Sequence, residues 1–432
     1  MSFRVIMISF LSILTVASSS LHTVDLPHFY RTTFFQGEAK RNTSDGVSSL
    51  EFRYADGSTK ESWNTYEVKT CLFNSHSPFD MRKLAENLEC LDQKPLTKAY
   101  ADGPIPGLYN GKLAFGGNFH MKEYDITFQQ NILYGLYLQA YLPIKKLKID
   151  CIDYVQSATT DVEHSLLAAF VENELDAILE ENCIDPLKTP FCSTELSDPL
   201  VSIGWHGHCE VSGSSITALR GYLQAGVIIP TGSRRKINRV FSLPLGYNKH
   251  WGFNGRGNIH VTLWDKFVVG ANLGATVFLK QSYAQRLTTA AEQNGWVLLE
   301  KGRASTDLGT IWDITTYAKT ERVFGGLSML IGYSYTQQED TTLTVKNPHF
   351  LKTAKEQAEF LNVNEIANTN KLLKQWYQHV LHGYIQYDFS TYKDITILPT
   401  IRAEYHLPLL AKHTWHTDMW SGTTSLAITW DF

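Results

Sequence analysis

The chain has 432 residues, 43% of them hydrophobic, 19% charged and 12% aromatic, with a formal net charge of −4. Such a length is ordinarily split into two or three soluble domains, although a large all-β barrel runs longer as one unit. No long Lys/Arg run supplies the clustered positive charge that neutralises phosphates, so nucleic acid is excluded as an expected partner. A mean hydropathy of −0.19 is too low for a bundle of membrane helices, but it suits a barrel whose strands are apolar only at every second residue.

Residues 1–20 (MSFRVIMISFLSILTVASSS) carry Arg4, then an apolar run from Val5 to Ala17, then small residues through Ser20. That order predicts a secretory signal peptide cut just after the small cluster. The run is shorter than the ~20 apolar residues of a spanning anchor. Residues 21–46 are then expected as a periplasmic N-terminal segment, with 47–432 forming one folded unit.

An exported chain meets oxidising conditions, where disulfides persist. The mature cysteines are Cys71, Cys90, Cys151, Cys183, Cys192 and Cys209. Spacing alone leaves the connectivity open. Proximity favours Cys71 with Cys90, Cys183 with Cys192, and Cys151 with Cys209. No C-x-x-C occurs, so a zinc or redox site is not expected.

Apolar residues then alternate with polar ones along the chain, the mark of strands with two unlike faces. Leu50, Phe52 and Tyr54 oppose Glu51 and Arg53. Tyr124, Ile126 and Phe128 oppose Asp125 and Gln129. Leu136, Leu138, Leu142 and Ile144 oppose Gln139 and Lys145. Ile203 and Trp205 oppose His206, His208 and Glu210, and Leu219 and Leu223 oppose Arg220 and Gln224. Ile259 and Val261 flank His260, Leu273 and Val277 oppose Asn272, and Trp312 and Ile314 oppose Asp313. Met329, Ile331 and Tyr333 oppose Ser328 and Ser334. Leu381, Ile385 and Tyr387 oppose His382 and Asp388, and Ile401 and Tyr405 oppose Arg402 and Glu404. The last segment, Ser425 to Phe432, sets Leu426, Ile428, Trp430 and Phe432 on one face. With it the pattern gives about twelve strands.

An aromatic C-terminal residue with apolar residues at every second position behind it resembles the final strand of Gram-negative outer-membrane β-barrels. No functional motif of a particular family accompanies it. The resemblance implies export to the outer membrane, recognition of Leu426, Ile428, Trp430 and Phe432 by barrel-assembly machinery, and contact with membrane lipid and lipopolysaccharide.

The connections support the same architecture. They run long at about 58–115, 157–202, 230–257, 281–307 and 338–376, with a medium one at 408–422, and short between. Tight turns at one end and long loops at the other are what a transmembrane up-and-down antiparallel barrel with an even strand count requires. A soluble sandwich has no reason to alternate by parity. Fourteen strands is the alternative, because Trp63–Phe73 could add a strand and Val240–Tyr247 could extend a hairpin. Helical patterns in the loops at Pro78–Glu89, Val162–Glu181 and Phe350–Trp376 would brace the mouth or fold inward to narrow it.

Pattern parity also names the expected pore lining: Glu51, Arg53, Asp125, Gln129, Gln139, His206, His208, Glu210, Arg220, Gln224, His260, Asp313, His382, Asp388, Arg402 and Glu404. Acids and bases are mixed, which argues against a single-sign selectivity ring. His206, His208 and Glu210 share one face, but one strand cannot wrap an ion, so no metal and no cofactor is expected. The loop Pro230–Asn254 gathers Arg234, Arg235, Lys236, Arg239, Lys249 and His250 with aromatics. It could grip lipopolysaccharide or anionic solutes, or simply be a solvated loop. No hydrolase, P-loop or dinucleotide motif occurs. The expectation is therefore a porin-like channel for passive diffusion of small solutes. A non-conducting, adhesin-like surface barrel is the rival, a barrel hydrolase is a third reading, and a homo-oligomer stays open.

Overall fold

The computed structural model describes residues 25–35, 47–76, 78–80, 112–157, 175–211, 215–288, 295–346, 363–389 and 400–429. The elements in chain order are β1 (Val47–Thr59), β2 (Glu61–Trp63), β3 (Lys69–Cys71), β4 (Phe79–Asp80), β5 (Lys112–Asn131), β6 (Leu136–Ser157), α1 (Leu175–Glu181), β7 (Phe191–Leu196), β8 (Leu200–Glu210), β9 (Ile216–Ile228) and β10 (Gly252–Leu263). They continue with β11 (Phe267–Phe278), β12 (Gln281–Leu287), β13 (Glu300–Asp307), β14 (Ile311–Val323), β15 (Leu327–Gln338), β16 (Thr342–Val345), α2 (Val363–Asn368), β17 (Trp376–Asp388), β18 (Thr400–Lys412) and β19 (Asp418–Thr429).

Twelve of these strands close a transmembrane antiparallel barrel in the order β1, β5, β6, β8, β9, β10, β11, β14, β15, β17, β18, β19 and back to β1. The seam pairs Val47 with Thr429 through Ser58 with Asp418, so no edge is left open to lipid. Trp63–Phe73 forms only the small hairpin β2–β3 outside the barrel, and Val240–Tyr247 holds no strand, so the count stays at twelve. A second small sheet, β12–β13–β16, stands at the end carrying the long connections, the loop end.

The outer face bears exposed Phe128, Ile203, Leu223, Ile259, Leu273, Ile331, Ile385 and Ile401. Tyr134, Trp205, Trp264 and Phe324 ring the turn end of this band. At its other edge Tyr54 packs on Tyr124 and Trp420 at 5.1 and 5.4 Å between ring centroids. Such girdles sit at the two lipid–water interfaces. From Tyr124 to Asn131, β5 spans roughly 20 Å at ~3.3 Å per residue and ~40° tilt, close to the height of a barrel's apolar band.

Above Tyr124 the two faces of β5 exchange chemistry while parity holds. Inward positions change from Asn131, Gln129, Asp125 and Glu123 to Met121, Phe119, Phe115 and Leu113, all buried, and the outward positions become Lys122 and His120, both exposed. Lipid demands an apolar outside and tolerates a polar inside; water demands the reverse. The barrel therefore leaves the membrane as a wall that encloses a dry core. That core gathers Phe73, Phe119, Phe241, Trp296 and Trp415 with α1's Leu175 and Leu179. Of the three helical patterns, α1 and α2 are what the described residues contain, and the Pro78–Glu89 pattern lies almost wholly outside them.

Residues 25–35, read from the sequence as part of a periplasmic segment, lie inside the barrel. Tyr30, Arg31, Thr32, Thr33, Phe34 and Phe35 are at most 1% exposed. Phe29 and Tyr30 pack against Trp415 and Phe119 in the loop-end core, while Phe35 sits against Tyr317 and Tyr384 of the wall. A short segment rich in Phe, Tyr and Thr with Asp25, His28 and Arg31 has side chains for both environments, an aromatic cap and a polar lumen.

The disulfide expectation is not met. Cys71, Cys151, Cys183, Cys192 and Cys209 are all free thiols, and Cys90 lies outside the described residues. Leu136 pairs with Trp205, so Cys151 lies far up β6 and Cys209 below that level on β8, roughly 60 Å apart along the strands, beyond disulfide reach. Sequence proximity overlooked the register. Cys183 and Cys192 are exposed, the latter in β7 opposite Lys148.

Candidate functional site: the lumen and the mouth above it

The lumen is built from strand positions that the alternation sends inward. Glu51, Arg53, Asp125, Gln129, Gln139, His206, Gln224, His260, Asp313, His382, Asp388, Arg402 and Glu404 are all buried. Arg220 is half-buried, and His208 and Glu210 are exposed near the turn end of β8. Among the described residues no three His, Cys, Asp or Glu side chains converge as metal ligands.

These side chains bond to one another across the wall. Arg53 pairs with Asp125, Nη2 to Oδ2 at 2.5 Å, and Tyr141 donates its hydroxyl to Glu123 and Asp125, each at 3.1 Å. Arg402 forms ion pairs with Glu404, Nε to Oε1 at 2.8 Å, and with Glu51 at 3.8 Å. Gln224 donates to Gln139 at 3.0 Å and Ser202 at 2.6 Å. Asp313 takes Asn272 at 3.3 Å and Arg256 at 3.5 Å, Tyr317 Oη lies 3.2 Å from His260 Nδ1, and Asp388 pairs with Arg322 at 2.6 Å. Opposite charges at these distances satisfy groups that would otherwise be costly to bury. Tyr137 and Tyr317 lie across Gly204 and Gly270 of the neighbouring strands, where an added Cβ would meet the rings at 2.3 and 2.4 Å.

The N-terminal segment is bonded to this lining. Arg31 pairs with Asp25 of its own segment and lies 3.3 Å from Glu123 of β5, which also faces Lys145 at 3.8 Å. The Arg53 guanidinium sits 3.9 Å from the Phe34 ring centroid, and the Phe34 amide donates to Asp25 at 2.8 Å. Thr33 bonds Gln378 and Thr336, and Thr417 donates to the Tyr30 carbonyl at 3.0 Å. No ladder joins residues 25–35 to the wall among the described strands: side-chain contacts hold them, with one backbone bond from the Trp415 amide to the Phe29 carbonyl at 2.9 Å.

A polar relay runs beneath Phe34 and Phe35: Ser334 Oγ to His382 Nε2 at 2.6 Å, His382 Nδ1 to His406 Nδ1 at 2.9 Å, and His406 Nε2 to Ser421 Oγ at 3.3 Å. His406 continues the Arg402, Glu404 parity but escaped the sequence reading. So did Arg256, Asn254 and Asn258, because Gly255 and Gly257 erase the apolar half of the β10 pattern. The segment 25–35 offered no periodicity from which its place could be read.

At the mouth, much of the basic loop is packed rather than solvated. Arg234 stacks over Tyr283 at 4.8 Å and Arg235 over Trp296 at 4.9 Å, while Val240, Phe241, Leu245 and Tyr247 are buried. Trp251 and Phe253, at the start of β10, are exposed. The loop is core, not fringe. With hairpin β12–β13 and residues 338–343 and 370–376 it forms a cavity of about 220 Å³ bordered by His28 and Phe29 of the N-terminal segment.

No family model matches the chain and no curated protein does. The chain is similar in structure to an outer membrane channel from Pseudomonas putida F1, at 9% identity and a TM-score of 0.47, over 94% of this chain and 100% of that one. It is also similar to the translocator domain of the autotransporter NalP from Neisseria meningitidis, at 8% identity and a TM-score of 0.34, over 90% of each chain. A Pseudomonas aeruginosa FadL homologue matches at 8% identity and a TM-score of 0.30, over 89% and 90%. The likeness is one of fold, to Gram-negative outer-membrane barrels.

Proposed function

We propose that the protein is an outer-membrane channel, exported by its signal peptide, that passes small solutes by passive diffusion through a lumen closed at rest by residues 25–35. The supporting observation is the contrast between wall and plug. The wall is a continuous hydrogen-bonded barrel with a charged interior, whereas the segment filling it belongs to no strand ladder, is held by side-chain contacts such as Arg31 with Glu123 and by the Trp415 amide on the Phe29 carbonyl, and can leave without breaking a strand pair. A polar lumen such as the one bearing Arg53, Asp125, Arg402 and Glu404 is what a barrel that passes solutes requires. On this reading the loop end faces outward, lipid and lipopolysaccharide surround the band, and barrel-assembly machinery reads Leu426, Ile428, Trp430 and Phe432. Leu426 and Ile428 lie on β19, and the last two lie outside the described residues.

Planar-bilayer recording of a refolded variant lacking residues 25–35 tests the proposal. The variant should give stable single-channel currents where the intact protein gives smaller or rarer ones. A variant that inserts with heat-modifiable mobility yet never conducts would favour the non-conducting surface barrel.

One contact favours a hydrolase, the Ser334–His382 pair at 2.6 Å. Against it, the other His382 nitrogen meets His406 rather than a carboxylate, and Phe35 lies 5.8 Å from the imidazole in a fully buried setting. Absence of labelling by a fluorophosphonate, in the intact and the plug-deleted protein, closes that reading.

A further inference from the structure

We propose that the cavity at the loop end binds a small organic anion with an apolar body, its carboxylate on Arg235 and its body against Trp296 and Leu372. This goes beyond the channel reading, since a site at the mouth holds whether or not the lumen conducts.

The cavity is small beside the ~300–1,000 Å³ of pockets for drug-sized ligands, which sets the size class of its occupant. Its charge sets the sign. Arg235 donates from Nη2 to the Val240 carbonyl at 2.8 Å and stacks on Trp296, and among the described residues no carboxylate lies within ion-pair distance of it. Burial without such a partner draws the guanidinium down to about 10, still charged at neutral pH. The other charges at the cavity, Lys236 apart, are engaged. Arg286 donates to the carbonyls of Ile237 at 3.0 Å, Asn182 at 2.8 Å, and Leu299. Arg239 pairs with Asp185 at 2.9 Å, and Lys374 with Asp340 at 3.0 Å. Glu339 accepts from the Thr310 amide at 3.1 Å and Trp312 Nε1 at 3.3 Å. Lys236, on the rim, adds a second cation without a carboxylate partner among the described residues.

The second polar group is His28. It is 6% exposed, stacked between Tyr30 and Tyr247, and its Nε2 has no hydrogen-bond partner. A half-buried guanidinium without a counter-charge and a buried imidazole nitrogen without a partner leave two polar groups unfilled at the border of one cavity, walled in part by Trp296, Leu298, Leu343 and Leu372. A carboxylate satisfies the first in a bidentate fork and an attached ring or short alkyl chain fills the apolar walls.

The test uses the full-length protein in detergent micelles, titrated calorimetrically with 1-naphthoate, its neutral analogue 1-naphthylmethanol and inorganic phosphate, each against empty micelles. Naphthoate should bind saturably and about tenfold or more tighter than the alcohol, and Arg235→Gln should erase the difference. Phosphate should compete only weakly. Equal affinity for naphthoate and the alcohol would overturn the anion assignment, and phosphate binding as tight as naphthoate would overturn the apolar body. If Arg235→Gln does not fold, judged by heat-modifiable mobility, the comparison on the intact protein decides. Naphthoate binding by a barrel that never conducts would sink the channel reading and leave the site standing.

Discussion

Arg31 Nε lies 3.3 Å from Glu123 Oε2, both side chains wholly buried, and this ion pair joins the N-terminal segment to the barrel wall. Breaking a buried pair costs about 3–5 kcal/mol because it strands the remaining charge. Glu123 would keep Lys145, and Asp25 would lose its own partner. Arg31→Met should therefore loosen the segment more than the wall. The expected outcome is more frequent opening in planar-bilayer recordings with unchanged heat-modifiable mobility. Unchanged currents would show that Arg31 does not hold the segment.

Phe34 offers an independent handle on the same segment. Its ring stands between Arg53, at 3.9 Å, and His406, at 5.2 Å. Phe34→Ala removes a fully buried aromatic, a change that costs about 3–5 kcal/mol in a rigid core. Here part of that cost is escaped if the segment leaves. Combining Phe34→Ala with Arg31→Met should raise conductance by less than the sum of the two, since both release one element. Strict additivity of the two effects would argue for separate roles.

The sequence shows strands wherever lipid touches them, because there the outside must be apolar and the inside polar. It hides them where the strands stand in water. In β5 the alternation is legible only from Tyr124 onward and the connection before it is expected to end at about 115; the strand begins at Lys112, and Phe119 and Met121 face inward above the membrane. The medium loop expected at 408–422 shrinks for the same reason: β18 runs to Lys412 and β19 starts at Asp418. Lumen positions such as Arg53 and His382 followed from parity alone. Asp25, Arg31 and Phe34 could not, because their place depends on tertiary contacts with wall residues as far along the chain as Glu123 and His406.

The loop end should respond to mild acid through His76 and His413, stacked at 4.2 Å. Burial first, then each other's charge for His76, and burial opposed by a bond to the Gln375 carbonyl for His413, hold both imidazoles below the ordinary value of 6.5. The folded state thus binds fewer protons than the unfolded one. Its stability is fully present above about pH 6.5 and is lost as pH falls from there towards the depressed folded values. Amide exchange in residues 60–76 and 413–417 should accelerate between neutral pH and pH 5 beyond the intrinsic pH dependence. His76→Phe should flatten that response; an unchanged response would place the titration elsewhere.

The free thiols make the orientation of the barrel measurable. Cys151, Cys183 and Cys192 are exposed at the loop end, and Cys209 is exposed near the turn end. With loops outside, a bulky membrane-impermeant maleimide added to intact cells should label single-cysteine variants retaining Cys151, Cys183 or Cys192. The variant retaining Cys209 should react only after the outer membrane is permeabilised. Because no described cysteine is in a disulfide, prior treatment with dithiothreitol should change neither the labelling pattern nor the temperature of the heat-modifiable transition. Surface labelling of Cys209 in intact cells would invert the barrel and move the anion site to the opposite side of the membrane.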